Sequence, residues 1–402
     1  MYELIVIGGG AAGIFAAIAA KEARREARVA LLEKSAVLLA KVRISGGGRC
    51  NVTHACFDPH ALTQNYPRGS KELLGPFHRF QARDTMDWFE SRGVKLKAEA
   101  DGRIFPETNR SETIIDCLLS HAKELGIEIY LKERIQSVSK MEEGFEIQCR
   151  ERKFSCRSLL LATGSSSEGY KIAEQFGHTI VNPVPSLFTF NVPSSPLKEL
   201  SGISFEKVQV QIKGAPLLQT GPLLITHFGF SGPAPLKLSA WAARYLFEKE
   251  YHVDLIINWL PQFSKQEIFK QLAEIKKSSG TKKLLSENIF KFPKSFWHLF
   301  LDLLGENFKK RINEISQKDL QLLADKLHED CYQVEGKTTH KEEFVTCGGV
   351  ALKEVHFKTL ESKICPHLFF AGEILDIDGV TGGFNFQNAW TTGFIAGTSS
   401  VN

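Results

Sequence analysis

The chain has 402 residues, of which 43% are hydrophobic and 24% charged, and its 50 Lys and Arg against 46 Asp and Glu give a formal net charge of +4. This composition excludes a disordered, collagen-like or coiled-coil protein, and so small a basic excess gives no electrostatic case for a dedicated nucleic-acid binder. At about 150 residues per domain, the length predicts two or three domains.

The first 190 residues or so are predicted to be α/β, because short apolar runs alternate with helical periods. The predicted strands are 4–7, 29–32, 127–130, 135–139, 145–149 and 158–162, and the predicted helices are 11–25, 75–92 and 112–125. The prolines of 182–185 are predicted to break regular structure.

In the rest of the chain, the predicted secondary structure changes twice. Residues 191–260 are predicted to be β-rich, with strands at 208–212, 223–226 and 253–258; helices follow at 264–277, 282–290, 295–304 and 318–327. Residues 262–330 hold 13 Lys and Arg and 10 Asp and Glu, which indicates a solvated helical surface rather than a nucleic-acid patch. Residues 332–357 are again predicted to be β-rich.

The cysteines and the first apolar run indicate a cytoplasmic protein. None of the eight cysteines forms a C-x-x-C pair, so no zinc site, other metal site or thioredoxin-like motif is indicated. Residues 4–20 carry no charge, but Glu3 stands where a signal peptide has basic residues, and four glycines interrupt the run. A buried strand, a tight turn and a buried helix are therefore predicted there, and no membrane partner.

The first chemical motif is Gly8-x-Gly10-x-x-Gly13, between the first strand and the first helix. Its glycines allow a tight turn and close approach of a pyrophosphate to backbone N–H groups at the helix N-terminus. Glu33, 20 residues after Gly13, ends the second strand where a carboxylate can accept hydrogen bonds from a ribose diol. The alternative is a plain glycine turn with a surface glutamate.

Three more segments carry polar or special residues. Ser45-Gly46-Gly47-Gly48-Arg49-Cys50-Asn51 exposes bare backbone to a flat ligand, and Lys41 adds charge nearby. Leu160-Leu161-Ala162-Thr163-Gly164 is a buried strand with the ending common in FAD proteins. The C-terminal run 368–389 delivers Glu373 and Asp376, and its Gly382-Gly383 opens a last helix whose positive end would favour a reduced flavin.

The two ends of the chain must therefore meet at one cofactor, with the middle of the chain inserted. We expect an α/β fold: a Rossmann-type FAD-binding domain split by an inserted β-rich domain that carries a helical subdomain. The predicted bounds are 1–190 and 351–402 for the FAD-binding domain, 191–261 and 331–350 for the β-rich domain, and 262–330 for the helical subdomain.

These motifs resemble those of the bacterial aminoacetone-oxidase-like and BaiN-like (YhiN-type) NAD(P)/FAD-dependent flavoproteins. Three further segments carry the same resemblance: Gly102-Arg103-Ile104-Phe105-Pro106, the run 226–233 (THFGFSGP) and Cys347-Gly348-Gly349-Val350. The resemblance spans nearly the whole chain and implies the same split FAD domain. One departure is the segment 164–170, which is shorter than the family's loop and lacks its T-G-D-G.

The cofactor-binding residues expected from the motifs and the resemblance fall in four groups. They are Gly8, Gly10, Ala11, Ala12 and Gly13; Glu33, Lys34, Lys41 and Ile135; Ser45, Gly46, Gly47, Arg49, Cys50 and Asn51; and Ala162, Thr163, Gly164, Gly372, Glu373, Asp376, Gly382, Gly383, Asn385, Gln387 and Asn388.

The reaction is less defined than the cofactor. We expect an FAD-dependent oxidoreductase, reduced by transiently bound NAD(P)H, that acts on a small organic molecule. The alternatives are an amine or aminoketone oxidase that reduces oxygen, and a non-enzymatic FAD-bearing interaction protein. His227 and Arg49 are the catalytic candidates, although His227 can equally brace its loop and Arg49 can equally contact FAD. Cys50, a lone cysteine, is expected to be packed rather than redox-active.

Overall fold

The computed structural model describes residues 1–278, 281–338 and 345–402, and the chain forms two compact units, Met1–Ser186 with His340–Asn402 and Leu187–Thr339. The strands are β1 Tyr2–Ile7, β2 Val29–Glu33, β3 Thr53–His54, β4 Leu96–Ala98, β5 Arg103–Pro106, β6 Glu128–Leu131, β7 Ile135–Met141, β8 Gly144–Cys149, β9 Lys153–Leu161, β10 Ile180–Ser186, β11 Thr189–Asn191, β12 Ser204–Ile212, β13 Leu218–Ile225, β14 Gly229–Ser231, β15 His252–Asn258, β16 Asp330–Glu335, β17 Lys337–Thr338, β18 Val345–Val350, β19 Val355–His356, β20 Glu361–Ser362 and β21 Leu368–Phe370. The helices are α1 Ala11–Ala23, α2 Ala40–Gly48, α3 Pro59–Thr63, α4 Ser70–Phe77, α5 Ala82–Glu90, α6 Ser111–Glu124, α7 Ser167–Gln175, α8 Pro233–Trp241, α9 Ala243–Glu248, α10 Lys265–Ser278, α11 Lys294–Leu304, α12 Gln317–His328 and α13 Phe384–Ser400.

The main sheet of the first unit has the order β19-β20-β21-β9-β1-β2-β6, and β8 and β7 branch from β9. Strands β21, β9, β1, β2 and β6 run parallel, with Ile5 in register with Leu159 on one side and Ala30 on the other. Parallel strands end at the same edge of a sheet. The loops that follow β1, β2, β9 and β21, which carry the predicted motifs, therefore share that edge, where open α/β sheets bind ligands.

Helices α1 and α13 join the two ends of the chain. Both are rich in small residues, and their backbones approach closely: a Cβ built on Gly397 would lie 2.1 Å from the carbonyl oxygen of Ala16, and one on Gly393 would lie 2.7 Å from that of Ala12. Only glycine permits such an approach. The predicted split of this domain by an insertion is confirmed.

The second unit has an antiparallel sheet of order β16-β15-β12-β13-β14-β11-β17. Helices α10, α11 and α12 share one hydrophobic core with it. Phe205 on β12 packs its ring 4.8 Å from the Trp259 ring and 4.8 Å from the Phe296 ring of α11, measured between centroids. The α/β class, with an inserted β-rich unit that carries helices, is therefore confirmed.

The compact units differ from the predicted domain bounds in two described segments. Residues 187–190 were expected in the FAD-binding domain but belong to the second unit, which begins at Leu187. Residues 345–350 were expected in the inserted domain, but β18 pairs antiparallel with β10, and both belong to the first unit. The β10 strand also corrects the prediction that 182–185 break regular structure. The ladder shifts register between Val181 and Val184, which accommodates Pro183, and two-stranded edges tolerate proline because few N–H donors are needed there.

Two helix predictions were wrong, and two helices in the region 191–260 were not predicted. The expected helix 75–92 is two helices, because the side chain of Asp84 accepts a hydrogen bond from the Gln81 N–H at 2.8 Å and starts α5 anew. The expected helix 282–290 is only a short 3-10 turn, Leu284–Ser286. The predicted β-rich region 191–260 contains α8 and α9, which the sequence reasoning missed.

The uncharged run 4–20 is divided between β1 and α1, as predicted. Of the helices in the described part of the chain, none combines the length and the apolar character that a bilayer crossing requires.

Candidate active site

The loop after β1 is built from glycines with different tasks. A Cβ on Gly8, whose φ is +110°, would lie 2.4 Å from the carbonyl oxygen of Ala162, and one on Gly13 would lie 1.9 Å from that of Gly8. These two positions serve the packing of the backbone. Gly10, in contrast, has no heavy atom within 4 Å of its built Cβ, and it begins α1 without a side-chain cap. The helix N-terminus therefore faces open space, as an anion-binding turn requires.

Glu33 lies beside this loop at the end of β2. Its Oε2 accepts a hydrogen bond from the Gly9 N–H at 2.7 Å, and its Oε1 accepts one from the Ser35 N–H at 2.7 Å. A carboxylate has about four lone-pair sites, so these two bonds orient the group and leave capacity for hydroxyl donors.

Two further predicted residues flank Glu33. Ile135 begins β7, two residues after Glu133, whose N–H donates to the Glu33 carbonyl at 3.0 Å. The Nζ of Lys34 lies 3.0 Å from the Oγ of Ser166. The structure thus gathers Glu33, Lys34 and Ile135 at the carboxyl end of β2.

The glycine run at the end of α2 forms an open curve. Gly46, Gly47 and Gly48 have φ values of +58°, +68° and +81°, which L side chains rarely adopt. No heavy atom lies within 4 Å of a Cβ built on Gly47 or Gly48. Ser45 turns its hydroxyl inward, to the Val42 carbonyl at 2.9 Å. The exposed side of the run is therefore bare backbone with room for a flat group.

Arg49 and Cys50 follow the run and point to different environments. The guanidinium of Arg49 is partly exposed, with Nη1 2.6 Å from Glu99 Oε1 and its carbon 4.0 Å from the centre of the Phe105 ring. Cys50 is fully buried, and this burial raises the pKa of its thiol to about 12. A thiol with so high a pKa is not a reactive nucleophile at neutral pH.

Asn51 connects the glycine run to the start of α13. With its amide oriented to satisfy its neighbours, the side-chain oxygen accepts from the Gly383 N–H at 2.9 Å and the nitrogen donates to the Thr53 carbonyl at 3.0 Å. A Cβ on Gly383, whose φ is +97°, would lie 2.5 Å from that same carbonyl. The second and fourth motifs, more than 300 residues apart, therefore form one structure.

The turn before α13 is braced on both sides. His54 Nδ1 lies 3.0 Å from the carbonyl oxygen of Gly382, and its ring stacks on Phe384 at 4.7 Å between centroids. The Asn385 side chain accepts from the Gly379 N–H at 2.8 Å and donates to the Gly379 carbonyl at 2.9 Å. His54 was not singled out by sequence, although its place three residues after Asn51 was a usable signal.

Two predicted residues on α13 have opposite surroundings. Gln387 is fully buried, and its Oε1 accepts from the hydroxyls of Thr53 at 2.6 Å and Thr85 at 3.0 Å, while its nitrogen donates to Thr391. Its polar groups are thus used within the protein. Asn388, the next residue, has a buried Oδ1 that accepts no hydrogen bond in the described protein.

Glu373 and its neighbours follow β21. Oε2 of Glu373 lies 2.5 Å from Lys41 Nζ, and Oε1 accepts from the Thr346 N–H at 3.0 Å. A Cβ on Gly372 would lie 2.8 Å from that of Ala12, so this strand end packs directly against the first turn of α1. Lys41, Glu373 and the loop of the first motif are therefore close together.

Beyond β9, Ala162-Thr163-Gly164 lead to α7. A Cβ on Gly169 would lie 1.8 Å from Thr163 Oγ1, so α7 packs tightly on this strand end. The hydroxyls of Thr163 and Tyr170 are both buried and have no hydrogen-bond partner among the described residues. Burial first, and then the carboxylates of Glu373 and Asp376, raise the pKa of Tyr170. Sequence reasoning missed Tyr170, whose only signal was its place in the shortened loop.

His227 belongs to the second unit. It lies exposed in the turn between β13 and β14, which is closed by a hydrogen bond from the Thr226 N–H to the Gly229 carbonyl at 2.8 Å. Phe228 beside it is 55% exposed. The geometry of the first unit, which holds all the other predicted site residues, does not test a role for His227.

The first unit fits a dinucleotide with a flat ring system at one end. Space is open in front of Gly10 and above Gly47, and the first helix has no side-chain cap. Within residues 1–278, 281–338 and 345–402, no group hydrogen-bonds the buried side-chain oxygens of Thr163 and Asn388. Buried polar atoms are rarely left without a hydrogen bond in a complete site. These features agree with FAD, whose pyrophosphate and isoalloxazine need these two kinds of surface.

Comparison with known proteins supports the same conclusion. Residues 2–399 match the family described as HI0933-like protein Rossmann domain. The chain is 28% identical to the 3-dehydro-bile acid delta(4,6)-reductase of Clostridium scindens, covering 100% of this chain and 99% of that protein. It is 30% identical to the ribosomal RNA dihydrouridine synthase of Escherichia coli, covering 97% of this chain and 96% of that protein.

Among solved structures, the fold is similar to the 3-ketosteroid-delta4-(5alpha)-dehydrogenase of Rhodococcus jostii in complex with 4-androstene-3,17-dione. The TM-score is 0.52 at 13% identity, with 100% of this chain and 97% of that chain covered. The family match extends over nearly the whole chain and includes every motif described above. The chain therefore belongs to the HI0933-like Rossmann family, and it is a flavin-dependent oxidoreductase with an FAD-binding domain of Rossmann type.

Proposed function

We propose that this enzyme uses NAD(P)H to reduce a carbon–carbon double bond conjugated to a carbonyl group. The observation that carries the proposal is the meeting of the open glycine run 46–48 with the start of α13, where a flat redox cofactor would fit. The chemistry comes from the relatives. A 3-dehydro-bile acid delta(4,6)-reductase and a dihydrouridine synthase both saturate a C=C bond conjugated to C=O.

The proposed cofactor contacts follow the order of the site. Gly10, Ala11 and Ala12 hold the pyrophosphate at the start of α1, and Gly8 and Gly13 shape this turn through backbone packing. Glu33, Lys34 and Ile135 lie at the adenosine end, and Lys41, Gly372, Glu373, Asp376, Ala162, Thr163 and Gly164 lie along the middle of the cofactor. Ser45, Gly46, Gly47, Cys50, Asn51, Gly382, Gly383, Asn385, Gln387 and Asn388 form the wall of the ring site, where Cys50, Asn385 and Gln387 act through packing and bracing. Arg49 lies at the rim of this site, outside these contacts.

FAD, when bound, supplies two electrons as a hydride after NAD(P)H has reduced it. The β-carbon of the substrate accepts this hydride, the C=C electron pair moves onto the carbonyl oxygen, and a proton from water adds at the α-carbon. NAD(P)H is oxidised to NAD(P)⁺, so electrons and protons balance. The start of α13 contributes a positive dipole end near the ring site, which stabilises negative charge there.

NAD(P)H is proposed as a transient donor because the sequence holds no second G-x-G-x-x-G between a strand and a helix. The test begins with anaerobic mixing of the purified holoenzyme with NADH and with NADPH, followed by visible absorption of the flavin. Rapid bleaching by either nucleotide supports the reductase and names the donor. A flavin that neither nucleotide bleaches, but that an aminoketone does, assigns the oxidase instead.

The second stage of the test supplies the electron acceptor to the reduced enzyme. One arm uses a 3-oxo-4,6-diene bile acid, and the other compares dihydrouridine in ribosomal RNA from cells with and without the gene. Reoxidation of the flavin with saturation of the substrate, or loss of a dihydrouridine in the deletion strain, supports the proposal and identifies the acceptor. Reoxidation by oxygen alone, with neither acceptor changed, refutes it.

A further inference from the structure

Arg49 lies at the rim of the glycine run. Its Nε donates to the carbonyl oxygen of Gly46 at 3.3 Å, so the side chain folds back over the residues that precede it. Gly47 and Gly48, between the two, leave open space where a Cβ would be. The guanidinium is therefore fixed beside the surface that fits the flat ring system.

Three contacts fix the guanidinium in one orientation. Besides the Gly46 carbonyl, Glu99 Oε1 accepts from Nη1 at 2.6 Å, and the Phe105 ring stacks beneath at 4.0 Å. Among the described residues, Nη2 donates to no protein acceptor, and the Arg49 side chain is 33% exposed. A planar guanidinium held through Nε, Nη1 and one face presents its remaining donors in a fixed direction.

Glu99 is itself held by a second arginine. Its Oε2 accepts from Arg103 Nη2 at 2.9 Å, and Arg103 Nε lies 2.7 Å from Asp101 Oδ2. Glu99 and Arg103 belong to the β4–β5 hairpin, the Gly102–Pro106 motif that the cofactor site does not otherwise use. The hairpin thus provides a support whose effect on the ring site passes through Arg49.

We propose that Arg49 binds the carbonyl oxygen of the substrate and stabilises the negative charge that develops there, with Glu99 as its positioning residue. This inference rests on the proposed function. When the β-carbon accepts the hydride, the C=C pair moves onto that oxygen, and a hydrogen bond from a cation strengthens as the charge forms. Arginine cannot give up its proton at neutral pH, so it acts as an electrophile, and water supplies the proton to the α-carbon.

The two half-reactions separate this role from cofactor binding. In Arg49→Gln, FAD affinity and the rate of flavin reduction by NAD(P)H stay within about twofold of wild type, whereas flavin reoxidation by the acceptor falls on the order of 10²-fold. Arg49→Lys keeps the charge without the planar fork and retains an intermediate rate. Arg49→Lys also serves as the test variant if Arg49→Gln does not fold. Arg103→Gln removes a neighbouring guanidinium that reaches the ring site only through Glu99 and Arg49, so it lowers reoxidation less than Arg49→Gln does.

Glu99→Gln tests the positioning role. This variant keeps the shape of the side chain but weakens its hydrogen bond to Arg49, so we expect the maximal rate of flavin reoxidation to fall. FAD affinity and the thermal midpoint stay near wild type. Weakened FAD binding or slowed flavin reduction in Arg49→Gln reassigns the residue to the cofactor and overturns the inference. Unchanged reoxidation also overturns it. If wild type itself reduces neither acceptor, the proposed function fails and the inference falls with it, which is distinct from an active wild type with an equally active variant.

Discussion

Gly10 and Gly13 stand three residues apart in one motif, yet the structure predicts opposite consequences for replacing them with alanine. At Gly10, φ is −83° and ψ is −172°, ordinary extended backbone, and the added Cβ meets no heavy atom within 4 Å. Gly10→Ala therefore leaves the FAD-free protein as stable as wild type, or stabilises it by about 0.4–1 kcal/mol through the unfolded state.

The same methyl group occupies the space in front of the first turn of α1, where the pyrophosphate is proposed to lie. A hydrogen bond to a charged group contributes about 1.5–3 kcal/mol. Since about 1.4 kcal/mol is a factor of ten in affinity, loss of one such bond weakens FAD binding about 10- to 100-fold.

Gly13→Ala has the reverse profile. Its Cβ would lie 1.9 Å from the carbonyl oxygen of Gly8, against at least 3.4 Å for an ordinary contact, and that atom belongs to the backbone of the adjacent turn. Relief requires α1 to shift away from β1, and we expect a loss of about 1–3 kcal/mol even without FAD.

Urea unfolding of the FAD-free proteins measures the first quantity, and titration of FAD fluorescence measures the second. The diagnostic result is a normal urea midpoint with weak FAD binding in Gly10→Ala, and a lowered midpoint in Gly13→Ala. Wild-type FAD affinity in Gly10→Ala would show that the open space in front of α1 is not the pyrophosphate site. An unchanged midpoint in Gly13→Ala would refute the packing argument.

Three further predictions concern buried polar groups. Gln387→Leu leaves the hydroxyls of Thr53 and Thr85 without their acceptor, so we expect the free energy of unfolding in urea to fall by about 2–4 kcal/mol. A decrease below about 1 kcal/mol would contradict this role. Tyr170→Phe removes a buried hydroxyl that has no partner in the described part of the chain, so the FAD-free protein gains about 1 kcal/mol of stability. A destabilised variant would reveal a hydrogen bond to that hydroxyl. Burial lowers the pKa of His178 from 6.5, so the unfolded chain binds the proton more tightly than the folded protein does, and stability is lost as the pH falls below about 6.5. We expect His178→Asn to flatten this pH dependence in urea midpoints measured from pH 5 to 8. An unchanged slope would exclude His178 as its source.

Local patterns predicted the parts of the site that local physics controls. The strand, glycine turn and helix at residues 2–23 follow from an apolar run, backbone conformations that only glycine adopts, and an alanine-rich period. The same reasoning located Glu33 and the start of α13. It failed at 75–92, where an apolar helical period continues through the Asp84 cap that separates α4 from α5, and at Pro183, where an edge strand accepts a residue that usually ends a strand.

The sequence by itself determined the family, the α/β class and which segments carry glycine-rich, cofactor-type chemistry, because these depend on residue order within a few turns of chain. Only the tertiary structure decided what each polar side chain does. Gln387 and Asn388 are neighbours in one motif. Gln387 accepts hydrogen bonds from threonines 302 and 334 positions away, whereas Asn388 has a buried oxygen that no described residue hydrogen-bonds. Such a difference arises because hydrogen bonds between distant segments form only where helix and sheet packing brings them within about 3 Å, and no local pattern encodes that distance.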